Sequence, residues 1–136
     1  QYDRAIERYR TVLANTPRDV IALNNLAYSL AVHKNQPAEA LVYAERAYTL
    51  GPTAPVADTL GWVQHLLGRD QEAARLLAAA VKRDPNAAEL RLHAAVVYAA
   101  LGLVESAGRE LKEAVRLDPA MEKRAEAASV REKVKK

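Results

Sequence analysis

Four prolines set the frame of this chain. Pro17, Pro52, Pro85 and Pro119 are separated by 35, 33 and 34 residues. Each is expected to stop a helix, because proline lacks the N–H a helix needs and biases the residue before it away from helical geometry. Twelve residues before each stands an alanine: Ala5, Ala40, Ala73 and Ala107. Four residues on from these come Tyr9, Ala44, Leu77 and Leu111, and three further come Val12, Ala47, Ala80 and Ala114. Such spacings put the three positions on one helix face, and small residues there let a neighbour approach closely.

A second helix is expected upstream of each of the last three. Leu23, Leu26, Ala27 and Leu30 map at an offset of 34 onto Ala57, Leu60, Gly61 and Gln64, and again onto Arg91, Ala94, Ala95 and Tyr98. The turn between paired helices is marked by Asn35, Gly68 and Gly102, each five residues before its repeat alanine. Gly and Asn are the residues that most readily take the left-handed conformation ending a helix. Gly61 falls where Ala27 and Ala95 stand, so it is expected at a close contact between helices and needs no phosphate or cofactor to explain it. Composition agrees: half the residues are apolar, carried by Ala, Leu and Val, with only 5% aromatic and no Phe. That is the make-up of packed helices rather than of a sheet.

The period, the helix–turn–helix unit and the pattern of small residues resemble the tetratricopeptide repeat (TPR) family. The residues that carry the resemblance are "LNNLAYSL", "ADTLGWVQ" and "RLHAAVVY" in the first helices, with "AERYRTVLANTP", "ALVYAERAYTLGP", "AARLLAAAVKRDP" and "AGRELKEAVRLDP" running to the prolines. The large aromatic that opens the family pattern is missing; Leu23, Ala57 and Arg91 stand there. "ALNNLAYSLA" and "DTLGWV" look like bacterial members. The resemblance implies an all-α, right-handed solenoid over residues 1–136. Residues 1–17 are the second helix of a partial repeat; 18–52, 53–85 and 86–119 are complete repeats; 120–136 form a capping helix. A chain opening at Gln1 in mid-repeat is expected to be part of a longer one.

In this family the first helix of each repeat lines a concave groove that binds peptides. Carried over by alignment, the groove positions include Ile21, Asn24, Asn25 and Tyr28; then Pro55, Asp58, Thr59, Trp62 and His65; then Glu89, His93 and Val96. Tyr28, Trp62 and Val96 are equivalent in successive repeats and would form a short apolar ladder. Asn24, Asn25, Asp58 and Thr59 would flank it with groups suited to a peptide backbone. Trp62 and Tyr28 either project into the groove, as residues enriched at binding hot spots, or pack over the neighbouring helix. The family's best-known recognition mode, a clamp for the C-terminal Asp of a heat-shock chaperone, would fall on Asn24, Tyr28, Thr59, Glu89 and His93. None matches, and Glu89 has the wrong sign for an acidic ligand.

Other functions are disfavoured. Residues 1–119 hold 14 Lys/Arg and 14 Asp/Glu, so the net +3 lies wholly in the last 17 residues. A nucleic-acid binder shows a basic face across its body; this body is neutral, and no nucleic acid is expected. With no Cys, thiolate chemistry and disulfides are excluded. Asp58 and His93 are placed to hydrogen-bond as a structural contact. His65 and His93 are offset by nearly two turns and so are not expected to share a metal, since zinc needs three or four convergent ligands. No enzyme, cofactor or membrane insertion is expected. The partner is a protein or peptide, or the array is a spacer or self-associating segment of a larger protein. The unpaired first helix would expose Tyr2, Ala5, Ile6 and Tyr9, which suggests a homodimer through that end. In the cap, Ala125, Ala128 and Ser129 are expected to pack, with Val130 and Val134 opposite.

Overall fold

The computed structural model describes residues 1–135. Among them it is all helix: α1 (Tyr2–Asn15), α2 (Val20–Tyr28), α3 (Pro37–Leu50), α4 (Ala54–Leu66), α5 (Asp70–Arg83), α6 (Ala88–Ala100), α7 (Val104–Leu117) and α8 (Ala125–Val134). Helices α1, α3, α5 and α7 each end two residues before one of the four framing prolines. The residue just before the proline (Thr16, Gly51, Asp84, Asp118) has left the helix, with ψ between 77° and 102°. The steric demand of the proline ring thus cuts the chain at regular intervals. The turns follow their own chemistry: Asn35, Gly68 and Gly102 all have positive φ, at 52°, 80° and 78°.

The hairpins α2–α3, α4–α5 and α6–α7 stack in order. Within the stack α2 touches α4, α4 touches α6 and α6 touches α8, whereas α1, α3, α5 and α7 have no comparable contact with one another. A layer whose members lie closer together is the inner layer of a curved stack, so α2, α4, α6 and α8 line the concave side. The core runs along the array as linked clusters of Leu and Ala instead of gathering at one centre, as expected where each unit packs only on its neighbours. Ala40, Ala44, Ala47, Ala73, Leu77 and Ala80 are fully buried at the hairpin contacts. Gly61 sits at one of these contacts, between α4 and α5. A Cβ there would lie 2.9 Å from Leu77 Cγ and 3.1 Å from Leu77 Cδ2.

Three departures from the sequence expectations have local causes. The last turns of the α2 helix widen into a π-helical segment, Ser29–His33. Leu26 to Asn35 is nine residues, whereas Leu60 to Gly68 and Ala94 to Gly102 are eight. The surplus residue is absorbed in the wider turn, where the Lys34 N–H donates to the Ser29 carbonyl at 3.1 Å, five residues back. The segment swings His33 onto Tyr2, with ring centroids 3.8 Å apart and planes 9° apart.

The face of α1 is also corrected. Ile6 is buried and Tyr9 and Leu13 pack on the same cluster, so Ile6 and Tyr9 are not laid bare. Tyr2 stays half exposed against His33. The open side carries Val12 instead, 38% exposed where the equivalent Ala47, Ala80 and Ala114 are at 0%.

After α7, Pro119–Lys123 forms a 3₁₀ turn and Arg124 is extended (ψ 145°), so α8 starts afresh at Ala125. This resets the phase. Met121, Ala127 and Val130 are buried with Val134 packed beside them, while Ala125, Ala128 and Ser129 face solvent, the reverse of the expected face.

Candidate functional site

The groove residues named above sit on α2, α4 or α6, the inner helices. The centre is Trp62, partly exposed and held between two imidazoles. His93 from α6 stacks on it at 4.3 Å and 24°, and His65, one turn along α4, lies tilted at 4.9 Å. Both histidines are themselves anchored through Nδ1. His93 meets Asp58 Oδ1 at 2.7 Å across the α4–α6 seam, and His65 meets Asp70 Oδ1 at 2.5 Å across the Gly68 turn. An imidazole fixed by a carboxylate holds one orientation, so the indole lies on a preformed support.

His93 is only 3% exposed. Burial opposes its protonation, but Asp58, and then Glu89 and Glu126, outweigh that and raise its pKa above the ordinary 6.5. Its Nε2 lies 4.0 Å from Glu89, which is bridged by Arg124 at 3.0 Å; Arg124 also reaches Glu126 at 3.3 Å. A chain of polar contacts therefore runs Asp58–His93–Glu89–Arg124–Glu126 from α4 to α8. The Asp58–His93 contact was legible in the repeat register. The Arg124 bridges were not, because the 3₁₀ turn that aims Arg124 has no counterpart in the earlier repeats.

Tyr28 is half-buried and meets His33 edge-on, with centroids 5.8 Å apart. Burial raises its phenol pKa above 10.0, with Glu89, Asp58 and Glu126 adding to the rise and Arg124 opposing it. Tyr28 lies on α2, in the same inner layer as Trp62 on α4 and Val96 on α6. Asn25 and Val96 are partly exposed there. Thr59 is different: it is buried, and its hydroxyl donates to the Pro55 carbonyl of its own helix at 3.2 Å. Asn24 is partly exposed, yet its Oδ1 is shut from solvent and accepts no hydrogen bond. The buried His93 supports Trp62 from beneath. Among the described residues, no three His, Asp or Glu side chains are grouped to hold a metal, and no helix is long and apolar enough to cross a membrane.

The sequence profile described as tetratricopeptide repeat matches residues 1–55 and 66–122. The chain belongs to the tetratricopeptide repeat family. Over 78 residues it is 35% identical to the TPR repeat-containing protein PA4667 of Pseudomonas aeruginosa, a match that covers 57% of this chain and 13% of that protein. The chain thus spans about an eighth of the length of that relative. Among solved structures it is similar to TTC0263, a thermophilic TPR protein of Thermus thermophilus. There the TM-score is 0.77 at 25% identity, covering 95% of this chain and 72% of that one. It is similar in fold to YrrB, a TPR protein described as having an unusual peptide-binding site, with TM-score 0.69 at 21% identity, covering 98% and 76%. The TPR fold implies protein–protein interaction, and TPR proteins are generally non-catalytic.

Proposed function

We propose that the concave face of this TPR array binds an extended peptide or a helix of a partner protein, with Tyr28, Trp62 and Val96 as its apolar ladder. In this reading residues 18–52, 53–85 and 86–119 are the three complete units, each lending one inner helix. One observation carries it: Trp62, the only tryptophan, is part-exposed on the inner layer and clamped between His65 and His93. A rigid aromatic costs little conformational entropy when a ligand lands on it, which is why such residues dominate binding hot spots. The peptide-binding description of YrrB supports the same reading. The test is a pull-down from host extract with the wild-type chain beside Tyr28→Ala/Trp62→Ala, helicity being checked for both. A partner kept by wild type and lost by the folded variant is the expected result. A variant that keeps every partner refutes the groove and favours a spacer.

A second reading rests on α1. With Val12 38% exposed where its equivalents are buried, a second copy packing on that side would extend the stack. Sedimentation should then show dimers that Val12→Glu dissolves. A monomer at high concentration removes this reading.

A further inference from the structure

Two clefts lie side by side on the inner layer, one repeat apart, and their linings correspond position by position. The first, between the starts of α2 and α4, is lined by Val20, Ile21, Asn24, Pro55 and Val56, with Gly51 and Thr53 at its rim. The second, between the starts of α4 and α6, is lined by Ala54, Pro55, Asp58, Asp84, Glu89 and Leu90. Ile21 in the first corresponds to Pro55 in the second, Asn24 to Asp58, and Pro55 to Glu89, so the clefts share Pro55. Equivalent backbone carries opposite chemistry. The first is apolar, and Ile21 on its wall is 73% exposed, the most exposed large hydrophobic residue among the described residues. The second is lined by three carboxylates and no cation. Asp58 is hydrogen-bonded to His93 and Glu89 is paired with Arg124, so the three carboxylates outnumber the two side chains that can balance them. Asp84 is exposed.

Resting on the concave-groove reading above, we propose that the bound segment presents an aliphatic side chain to the Ile21 cleft and a lysine or arginine to the Asp58–Asp84–Glu89 cleft. Charge complementarity selects this occupant. An acidic segment would meet like charge in the second cleft, and a wholly apolar one would strip water from the exposed Asp84 carboxylate with nothing to replace it. Asn24 lines the aliphatic cleft, but its Oδ1 is shut from solvent and takes no part in holding the ligand. The repeat sets the ligand's register. Neighbouring packed helices lie about 8–10 Å apart, which an extended or polyproline chain covers in about two to three residues at roughly 3.1–3.4 Å each. The basic residue therefore stands two or three positions from the aliphatic one.

The experiment is selection of a random-peptide display library on the intact chain, followed by affinity measurement with the best synthetic peptide. The expected result is enrichment of an aliphatic residue two or three positions from Lys or Arg. Affinity should fall about tenfold or more with Ile21→Asp and with Asp84→Lys, both exposed positions where helicity is expected to be retained. Exchanging the peptide's basic residue for Glu should weaken binding to wild type and restore it to Asp84→Lys. Enrichment of acidic or uncharged peptides overturns the inference, as does an affinity indifferent to both variants. Trp62→Ala separates the two claims: peptides lost on that variant but lacking a basic residue leave the groove standing and sink only its proposed specificity. A selection that enriches nothing also overturns it, and the host pull-down then decides the groove by itself.

Discussion

The seams between inner helices are built on one register and closed in two ways. At the α4–α6 seam, Asp58 reaches across to His93 at 2.7 Å, and the imidazole carries Trp62. One repeat earlier, the α2–α4 seam puts Asn24 and Thr59 at the same two positions. There the hydroxyl turns back to the Pro55 carbonyl and the amide oxygen is left without a partner. The backbone is equivalent and the side chains are not. A solenoid can thus keep its stacking constant while it fastens one seam with a polar pair and leaves the next open. The fastened seam supports the partly exposed indole; the open one adjoins the aliphatic cleft.

Breaking the fastened seam should have the largest effect. His93→Ala removes a buried ring, its hydrogen bond and the support of Trp62, and is expected to cost about 3 kcal/mol in chemical denaturation. The emission of Trp62 should move toward that of a solvated indole. An unchanged midpoint and spectrum would mean that the seam contributes nothing. Next in size is moving the pair into the open seam. Asn24→Asp with Thr59→His should set the new imidazole against Tyr28, as His93 sits against Trp62, and gain about 1 kcal/mol. A double-mutant cycle with no positive coupling would show that the α2–α4 seam differs in more than its side chains.

The pH dependence comes third. Because the folded pKa of His93 lies above its ordinary value, its stabilising contribution is fully present below about pH 6.5 and is lost as pH rises through the raised folded value. The melting temperature should therefore fall on going from mildly acidic to mildly alkaline buffer, and His93→Gln should flatten that part of the profile. A wild-type profile that rises over this range would reverse the sign assigned here. The smallest effect belongs to Asn24→Ala. Its oxygen gives up no hydrogen bond, so the change should stay within about 0.5 kcal/mol. A larger loss would reveal a partner for that oxygen in solution.

Much of the architecture was legible in the chain because it rests on local chemistry. Proline cannot continue a helix, Gly and Asn accept positive φ, and small residues at spacings of three and four mark contact faces, so helices, turns and period follow from order along the sequence. Gly61 was legible for the same reason: it fills a slot that alanines fill elsewhere, and Leu77 sits too close for more. Even the π segment leaves a trace, one surplus residue between Leu26 and Asn35. The candidate site was only half legible. Repeat register brought Asp58 and His93 together correctly, since neighbouring inner helices keep a fixed offset.

What the tertiary structure decided is how each side chain used its neighbours. Whether Thr59 offers its hydroxyl to a ligand or to its own helix is a contest between nearby acceptors, settled by distance in three dimensions. The cap's packing face was reset by a 3₁₀ turn, because a break of a single residue rotates everything after it. The reach of Arg124 to Glu89, 35 residues back in the chain, depends on that reset turn. Periodicity fixes where helices run; which polar groups meet between them is decided by rotamers and curvature, and those exist only once the array is stacked.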